Sequence, residues 1–389
     1  MKDILAGIGL LLVAMFFYPY DVSPSFWISK WVAVLFVACL SFAWGISRQV
    51  HWSVFPALAY TLLSGLWVWG WRDNSYIAFP DIMRMQIRDS AAFSTLSLIL
   101  LFGSVAMLSV KRLRWLENVI GIFCAITSVV TITQMLRGME TKNLGGLIWN
   151  PSMNACGIAL MYPFFYGLRH SWFNLRQSRW KDLVSLTVLS LPLYAVFLCK
   201  SHMGTGAMAA SLLFMIPWRP KYVLAITFIG VSTVVLAYLW GGELLVPTSG
   251  RVAIWTLALK WVNAEVGAWT GAGFGTTAIL IPWREGVEGY YTPTYRHIFY
   301  WLHSDVVQVL FELGRIGAIL YLLPLAYWIK NAFQTPRLVA PTFVWILCAM
   351  GNYPSRASLH AAVGTIIFVA SFKYAKNNLL VREEFNTFQ

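Results

Sequence analysis

Long apolar runs alternate with short polar connections over nearly the whole chain. Because an α-helix rises 1.5 Å per residue, about 20 apolar residues cross a bilayer core roughly 30 Å thick. The pattern therefore predicts about twelve transmembrane helices. They lie near residues 3–20, 27–47, 52–71, 91–110, 115–136, 152–168, 183–199, 203–218, 222–240, 304–328, 339–351 and 356–374. An even number of spans places both termini on one side.

Composition excludes a soluble enzyme. Of 389 residues 58% are hydrophobic and 12% are charged, and the mean hydropathy is +0.64, whereas soluble domains carry about 25% charged residues. The first run, residues 4–20, has no small-residue cleavage site, so we expect an anchoring span rather than a removable signal. The five cysteines show no CxxC spacing, and we expect neither a disulfide framework nor a metal site.

Basic residues concentrate in alternate short loops, as at Lys111, Arg112 and Arg114, and such loops face the cytoplasm in multi-pass proteins. The sequence thus predicts an all-α polytopic membrane protein, residues 1–389 forming a single integral membrane domain with both termini cytoplasmic. Two loops on the opposite face are too long for simple connectors: residues 72–90, and residues 241–304 between predicted spans 9 and 10. We expect the second to form an ordered cap.

The long loop contains a candidate phosphate site. Ser249, Gly250 and Arg251 precede a stretch with helical spacing of apolar residues that includes Trp255. An arginine fork beside the free N–H groups of a helix start presents several donors to one anion. The alternative is that Arg251 only reaches toward lipid headgroups. Further along, residues 269–275 carry alternate glycines, which permit a tight turn and close backbone approach.

The same loop ends at His303, Ser304 and Asp305, directly before an apolar run. Histidine takes up a proton near neutral pH, so His303 is a candidate base for a hydroxyl acceptor; the alternative is an interfacial histidine with no chemical task. Asp305 is a candidate for orienting it, although residues i and i+2 do not face each other on a helix. Glu312 and Arg315 are predicted to form an ion pair within the membrane, with a structural role.

Other cations fall on the predicted outer face, where the positive-inside tendency would deplete them. Arg84 and Arg88 share one face if residues 81–89 are helical, and Lys200 and His202 lie at the end of a predicted span. A diphosphate ligand would explain this excess of positive charge. The alternative is pairing with outer-face carboxylates such as Asp73.

Four patches occur in a characteristic order: residues 150–155, beginning Asn150 and including Asn154; Ser249, Gly250 and Arg251 with Trp255; residues 269–275; and His303 to Asp305 followed by Glu312, Gly314 and Gly317. At these residues the chain resembles the O-antigen ligase and O-antigen polymerase superfamily of membrane glycan transferases. The family more often has His-Asn where this chain has His303 and Ser304. It also tends to place an arginine near Ser201, a role that here passes to Lys200 or His202. The first half resembles the family only in being apolar.

The resemblance implies a GT-C-like, metal-independent, inverting glycosyltransferase of lipopolysaccharide biosynthesis that needs no cofactor. It would take a glycan from undecaprenyl diphosphate at the periplasmic face of the bacterial inner membrane and transfer it to lipid A-core or a growing glycan. Its partners would be these substrates and membrane lipids, without nucleic acid. Residues are assigned accordingly: Arg251 and His303 as catalytic groups, Arg251, Arg84, Arg88, Lys200 and His202 as diphosphate ligands, and Asp305, Trp255, Asn150 and Asn154 as supporting groups.

Several alternatives stay open. Within the family, length and a single long loop favour a ligase over a repeat-unit polymerase or a protein O-oligosaccharyltransferase. A polysaccharide transporter or flippase would also be apolar and polytopic, but it should carry ionisable residues near the bilayer midplane and show inverted halves. A purely structural anchor would not need so many outer-face cations.

Overall fold

A computed structural model of the protein describes residues 105–106, 108–141, 144–146, 150–172, 179–215, 255–256, 258–260, 268–271, 302, 304–351 and 358–387. All regular secondary structure in these ranges is helical. The longer helices are α1 Val110–Leu136, α2 Pro151–Trp172, α3 Arg179–Leu198, α4 His202–Met215, α5 Asp305–Phe333, α6 Pro336–Gly351 and α7 Ser358–Thr387. Each overlaps a predicted apolar run, so the helical prediction is confirmed there, and α7 continues to Thr387, beyond the predicted end at residue 374. The runs before residue 105 and the run 222–240 lie outside the described residues.

Within the described ranges, two helices are long and apolar enough to cross a membrane, α1 with 27 residues and α5 with 29. The segment Leu186–Leu198 and helix α6 are apolar but shorter. Large apolar side chains on α5, among them Ile319, Leu322 and Leu323, are about half exposed. These features indicate a membrane protein; the number of twelve spans and the cap stay predictions.

The helix boundaries follow from residues at the ends. Asn150 precedes Pro151, whose missing N–H costs nothing at a first helical position. The Asn150 side-chain oxygen accepts from the Met153 amide at 3.1 Å, which caps α2. At the end of α1, Gly138 has φ +79 and its amide donates to the Met135 carbonyl at 2.9 Å. A glycine in the left-handed region ends a helix without the steric cost of a Cβ.

Helix α2 lies at the centre and packs against α1, α3, α4 and α6. A Cβ at Gly204 would overlap the Cβ of Ala155, so α4 approaches α2 at the distance that only small residues allow. Such close approach is typical of helix pairs in membranes, where packing rather than hydrophobic burial holds helices together. On the other side Trp328 packs against Trp345 and Phe368 and joins α5, α6 and α7.

The starts of α2, α4 and α5 and the last turn of α6 meet at one end of the bundle. The Ser201 hydroxyl donates to the Ser152 hydroxyl at 3.0 Å, and Met203 lies against Gly351. We call this region, around Asn154, Cys199, Ser201 and Asp305, the Asn154 end. At the opposite end Arg337 pairs with the buried Glu117 at 3.7 Å.

Candidate functional site

A buried polar cluster surrounds Asn154, which is 0% exposed. Its amide nitrogen donates to the Thr131 hydroxyl at 2.8 Å and lies 3.5 Å from the Leu144 carbonyl oxygen. Gln134 both accepts from the Gly146 amide, at 2.9 Å, and donates to the Gly146 carbonyl, at 3.2 Å. Gly146 has φ +53, and a Cβ there would lie 2.6 Å from the Asn154 side chain. Helices α1 and α2 therefore hold the segment 144–146 in a fixed place.

The turn between α3 and α4 closes the same cluster. Asn154 reaches the Cys199 sulfur at 3.6 Å. The next residue, Lys200, adopts φ +47, and Ser201 caps α4 by accepting from the Gly204 amide at 3.0 Å. The side chains of Lys200 and His202 are exposed on this turn. Two of the predicted diphosphate ligands therefore lie beside a predicted supporting residue, with their side chains accessible to an anion.

The segment that leads into α5 is held from several sides. The Trp255 indole N–H donates to the Leu302 carbonyl, across 47 residues of chain. The Leu302 amide donates to the Gln308 side-chain oxygen at 3.4 Å, and the Ser304 hydroxyl caps α5 by accepting from the Val307 amide. Leu302, Ser304 and Asp305 are all at most 2% exposed. The start of α5 is thus inside the protein.

Gln308 continues this chain of hydrogen bonds into the helix. Its side-chain amide donates to the Glu312 carboxylate at 3.0 Å, and both residues are buried. Gln308 is not among the residues predicted from the sequence. The available signal was its spacing of four residues from Glu312, which places the two side chains on one helical face.

Helix α5 is interrupted at Gly314, which has φ +63 and ψ −161. Residues 268–271 cross at this break. The Arg315 amide donates to the Ala268 carbonyl at 2.9 Å and the Ile316 amide to the Trp269 carbonyl at 3.2 Å. A Cβ at Gly314 would lie 2.5 Å from the Trp269 backbone, and one at Gly271 would overlap the backbone at Gly314. The close backbone approach predicted for the glycines of residues 269–275 is confirmed at Gly271.

Glu312 and Arg315 lie on the two sides of this break, and the ion pair predicted between them stays a prediction. Glu312 is fully buried and accepts from Gln308. Arg315 is exposed, and its guanidinium carbon lies 5.3 Å from the centre of the Trp269 ring. Because Gly314 interrupts the helical repeat between them, their i, i+3 spacing does not by itself define a shared face.

The first part of α5 folds across the end of the bundle. If α5 and α6 formed a straight antiparallel hairpin, Cys348 would lie level with about residue 321, and Asp305 roughly 24 Å further along the axis. Asp305 nevertheless lies near Cys348, and Cys348 lies beside Cys156. Cys156 in turn lies near Cys199, the neighbour of Asn154. The predicted supporting residues Asn154 and Asp305, distant in sequence, therefore belong to one buried region.

Six of the predicted site residues therefore lie at the Asn154 end: Trp255, Asn150, Asn154, Lys200, His202 and Asp305. Arg251, His303, Arg84 and Arg88 lie outside the described residues, so the orienting role predicted for Asp305 stays a prediction. The described cysteines Cys124, Cys156, Cys199 and Cys348 are buried free thiols.

No model of a known protein family matches this chain, and no curated protein matches its sequence. In the part of the chain that the structure describes, the regular secondary structure is helical, two helices have bilayer-spanning length, and a buried polar region lies at one end of the bundle.

Proposed function

We propose that the chain is a multi-pass protein of the bacterial inner membrane, with both termini in the cytoplasm, that transfers a glycan from undecaprenyl diphosphate to an acceptor hydroxyl at the periplasmic face. The acceptor of an O-antigen ligase, lipid A-core, fits the proposal best. Support comes from the bilayer length of α1 and α5 and from the half-exposed apolar side chains along α5, which favour contact with lipid.

The observation that carries the proposal is the hydrogen bond from Trp255 to the Leu302 carbonyl. Arg251 precedes Trp255 by four residues. Chain geometry limits their Cα atoms to about 14 Å apart, and to about 6 Å if the intervening residues are helical. His303 follows Leu302, at a Cα distance of about 3.8 Å. The contact therefore ties together the two segments that carry the predicted catalytic residues.

The proposed chemistry is a single displacement. The acceptor oxygen bonds to the anomeric carbon, the bond from that carbon to the diphosphate oxygen breaks, and His303 takes the hydroxyl proton. Attack opposite the leaving group inverts the anomeric centre. Arg251 stabilises the growing negative charge on the diphosphate, and fixed charges of this kind often provide the largest contribution to catalysis. In this proposal the reaction uses no cofactor.

Lys200 and His202 support an anion-binding site at the Asn154 end. Both side chains are exposed on a turn whose backbone is fixed by Cys199 and Ser201. A fixed backbone limits the positions from which these two side chains reach an anion, so less entropy is lost on binding it, which favours diphosphate recognition.

One observation favours a second candidate, a transporter of lipid-linked glycan. Transporters place substrate and ion sites at interrupted helices near ionisable groups, and α5 is interrupted at Gly314 beside the buried Glu312. This candidate predicts movement of the substrate across the membrane without a new glycosidic bond.

The proposal is tested with the purified chain in proteoliposomes that contain an undecaprenyl-diphosphate-linked repeat unit. One sample includes lipid A-core, and the other only further repeat units. A single core-linked product is expected. A ladder formed without core lipid would identify a polymerase, and transport without bond formation would reject the enzyme.

The site assignment is tested in the same assay. We expect Arg251→Ala and His303→Ala each to lower the rate by about 100-fold or more. Arg112→Ala and His170→Ala are matched controls, because both positions belong to the opposite end of the bundle, and they should retain the wild-type rate. Equal rates for all four variants would refute the assignment.

A further inference from the structure

Three hydrogen bonds in series connect the surroundings of His303 to the interior of α5. Trp255 donates to the Leu302 carbonyl, the Leu302 amide donates to Gln308, and Gln308 donates to Glu312. We propose that Gln308 is a positioning residue, which fixes the peptide leading into His303 by linking it to the buried Glu312 carboxylate. This inference rests on the proposed function, because His303 has a catalytic role only there.

The chemistry of glutamine suits this position. A side-chain amide carries one acceptor and one donor on the same planar group. Gln308 uses its oxygen toward the Leu302 amide at 3.4 Å and its nitrogen toward Glu312 at 3.0 Å. A carboxylate at position 308 has no donor when ionised, and an aliphatic side chain of similar length has neither group. Loss of either the donor or the acceptor at position 308 would interrupt the series of hydrogen bonds.

Burial makes the series rigid. Gln308 is 1% and Glu312 0% exposed, so water does not replace a lost partner, and leaving a buried polar group unpaired is costly. The bond to Glu312 is stronger than one between neutral groups when its acceptor is ionised. Because the two residues are four apart on one helix, the helix itself holds them in register.

The effect on His303 passes through the Leu302 backbone. The two polar groups of Leu302 are held by different elements, the carbonyl by Trp255 and the amide by Gln308, so rotation of this backbone would break at least one bond. A catalytic group displaced by about 1 Å costs on the order of 100-fold in rate. Since Gln308 acts through Leu302 and does not touch substrate, its loss should lower kcat and leave KM nearly unchanged.

The test uses the full chain in proteoliposomes. Gln308→Met keeps length and apolar bulk but removes both hydrogen bonds, and we expect kcat to fall about 10- to 100-fold with KM within about twofold. The double variant Gln308→Glu with Glu312→Gln exchanges the two groups, so that the carboxylate now accepts from the Leu302 amide and from the amide at position 312. It should restore kcat to within about fivefold of wild type. Gln334→Met, at an exposed position after α5, is the control for the substitution itself.

A second measurement needs no substrate. Backbone hydrogen exchange at Leu302, followed by mass spectrometry, should speed up at least tenfold in Gln308→Met and return toward the wild-type rate in the exchanged double variant. The positioning role is overturned if exchange and kcat stay at wild-type values in Gln308→Met. It is equally overturned if kcat, KM and thermal stability all deteriorate and the double variant restores none of them.

The two measurements separate the two claims. If the wild-type chain transfers no glycan, the proposed function fails, and with it the positioning of a catalytic His303. The exchange data then show by themselves whether Gln308 fixes the Leu302 peptide.

Discussion

Helices α1 and α5 are both long and apolar enough to span a bilayer, yet their backbones have different hydrogen-bond partners. In α1 the helix is continuous: the Ser128 hydroxyl donates to the Cys124 carbonyl at 2.7 Å and the Thr131 hydroxyl to the Thr127 carbonyl at 2.8 Å. Its bonds to other segments are made by side chains, between Thr131 and Asn154 and between Gln134 and Gly146. In α5 the helix is interrupted at Gly314, and the backbone amides directly after the break donate to carbonyls of another segment, residues 268 and 269.

The difference indicates where a functional site can form in an apolar bundle. In an apolar surrounding every backbone N–H needs a partner, and irregular backbone is tolerated only where protein or a polar cavity supplies one. The carbonyls of Ala268 and Trp269 supply partners for Arg315 and Ile316. Because backbone bonds at the break are not local, α5 is hydrogen-bonded to residues 268–271. Nearer its start, Gln308 also bonds to Leu302. In α1 the bonds to Asn154 and Gly146 are made by side chains, and the backbone stays helical throughout.

The largest effect is expected at the break itself. Gly314→Ala would force a side chain into the left-handed region and against the Trp269 backbone, 2.5 Å away. Strain of this kind alone costs about 1–3 kcal/mol, and the overlap adds to it because backbone cannot easily move aside. We expect a destabilisation of about 3 kcal/mol or more, measured as thermal unfolding in detergent.

The matched control is Gly138→Ala at the end of α1. Gly138 also has a positive φ, +79, but nothing lies within 4 Å of an added Cβ. The Gly138→Ala substitution should lower the free energy of unfolding by only about 1 kcal/mol. Equal losses at the two glycines would show that the contact with residues 268–271 contributes nothing.

The next effect compares the two parts of α5. Leu313, before the break, is 0% exposed, whereas Leu323, after it, is 48% exposed. Leu313→Ala should cost about 2–5 kcal/mol through the cavity it leaves, and Leu323→Ala within about 0.5 kcal/mol. Unfolding of both variants in the same lipid nanodiscs checks this. Similar losses would contradict the contrast between the buried Leu313 and the half-exposed Leu323.

A smaller effect concerns two threonines of α1. Thr131 accepts from Asn154, while Thr133 is exposed and bonds only within its own helix. We expect Thr131→Val to destabilise by about 1–3 kcal/mol, because the Asn154 amide loses a buried partner. Thr133→Val should change stability by no more than about 0.5 kcal/mol. A larger loss at position 133 would argue against the Asn154 cluster as a stabilising element.

The smallest effect is expected at the opposite end, between Glu117 and Arg337. The Arg337 side chain is 41% exposed, so solvent weakens the pair, and Arg337→Ala should cost on the order of 1 kcal/mol. Part of that cost is the buried carboxylate left behind. Glu117→Gln should therefore be better tolerated than Arg337→Ala, and thermal unfolding that ranks the two in the reverse order would refute this explanation.

The spacing of apolar residues and the residues typical of helix ends predict much of the described fold. The apolar runs locate the helices, Asn150 before Pro151 marks the start of α2, and the glycine at position 271 allows a close approach. The break in α5 is different: Glu312, Leu313 and Gly314 in an apolar run are equally compatible with a continuous helix. The conformation of Gly314 depends on a segment more than 40 residues away, which local pattern does not encode. The part played by Gln308 is hidden for the same reason.

The central claim is that the segments carrying Arg251 and His303 converge on the periplasmic face. The most direct test introduces Arg251→Cys and His303→Cys together and applies a short, membrane-impermeant bismaleimide from the periplasmic side, with Lys111→Cys and Arg337→Cys as the pair for the opposite end. A cross-linked peptide joining positions 251 and 303, and none for the control pair, is the predicted result. Absence of that cross-link, or its formation only from the cytoplasmic side, would contradict the claim.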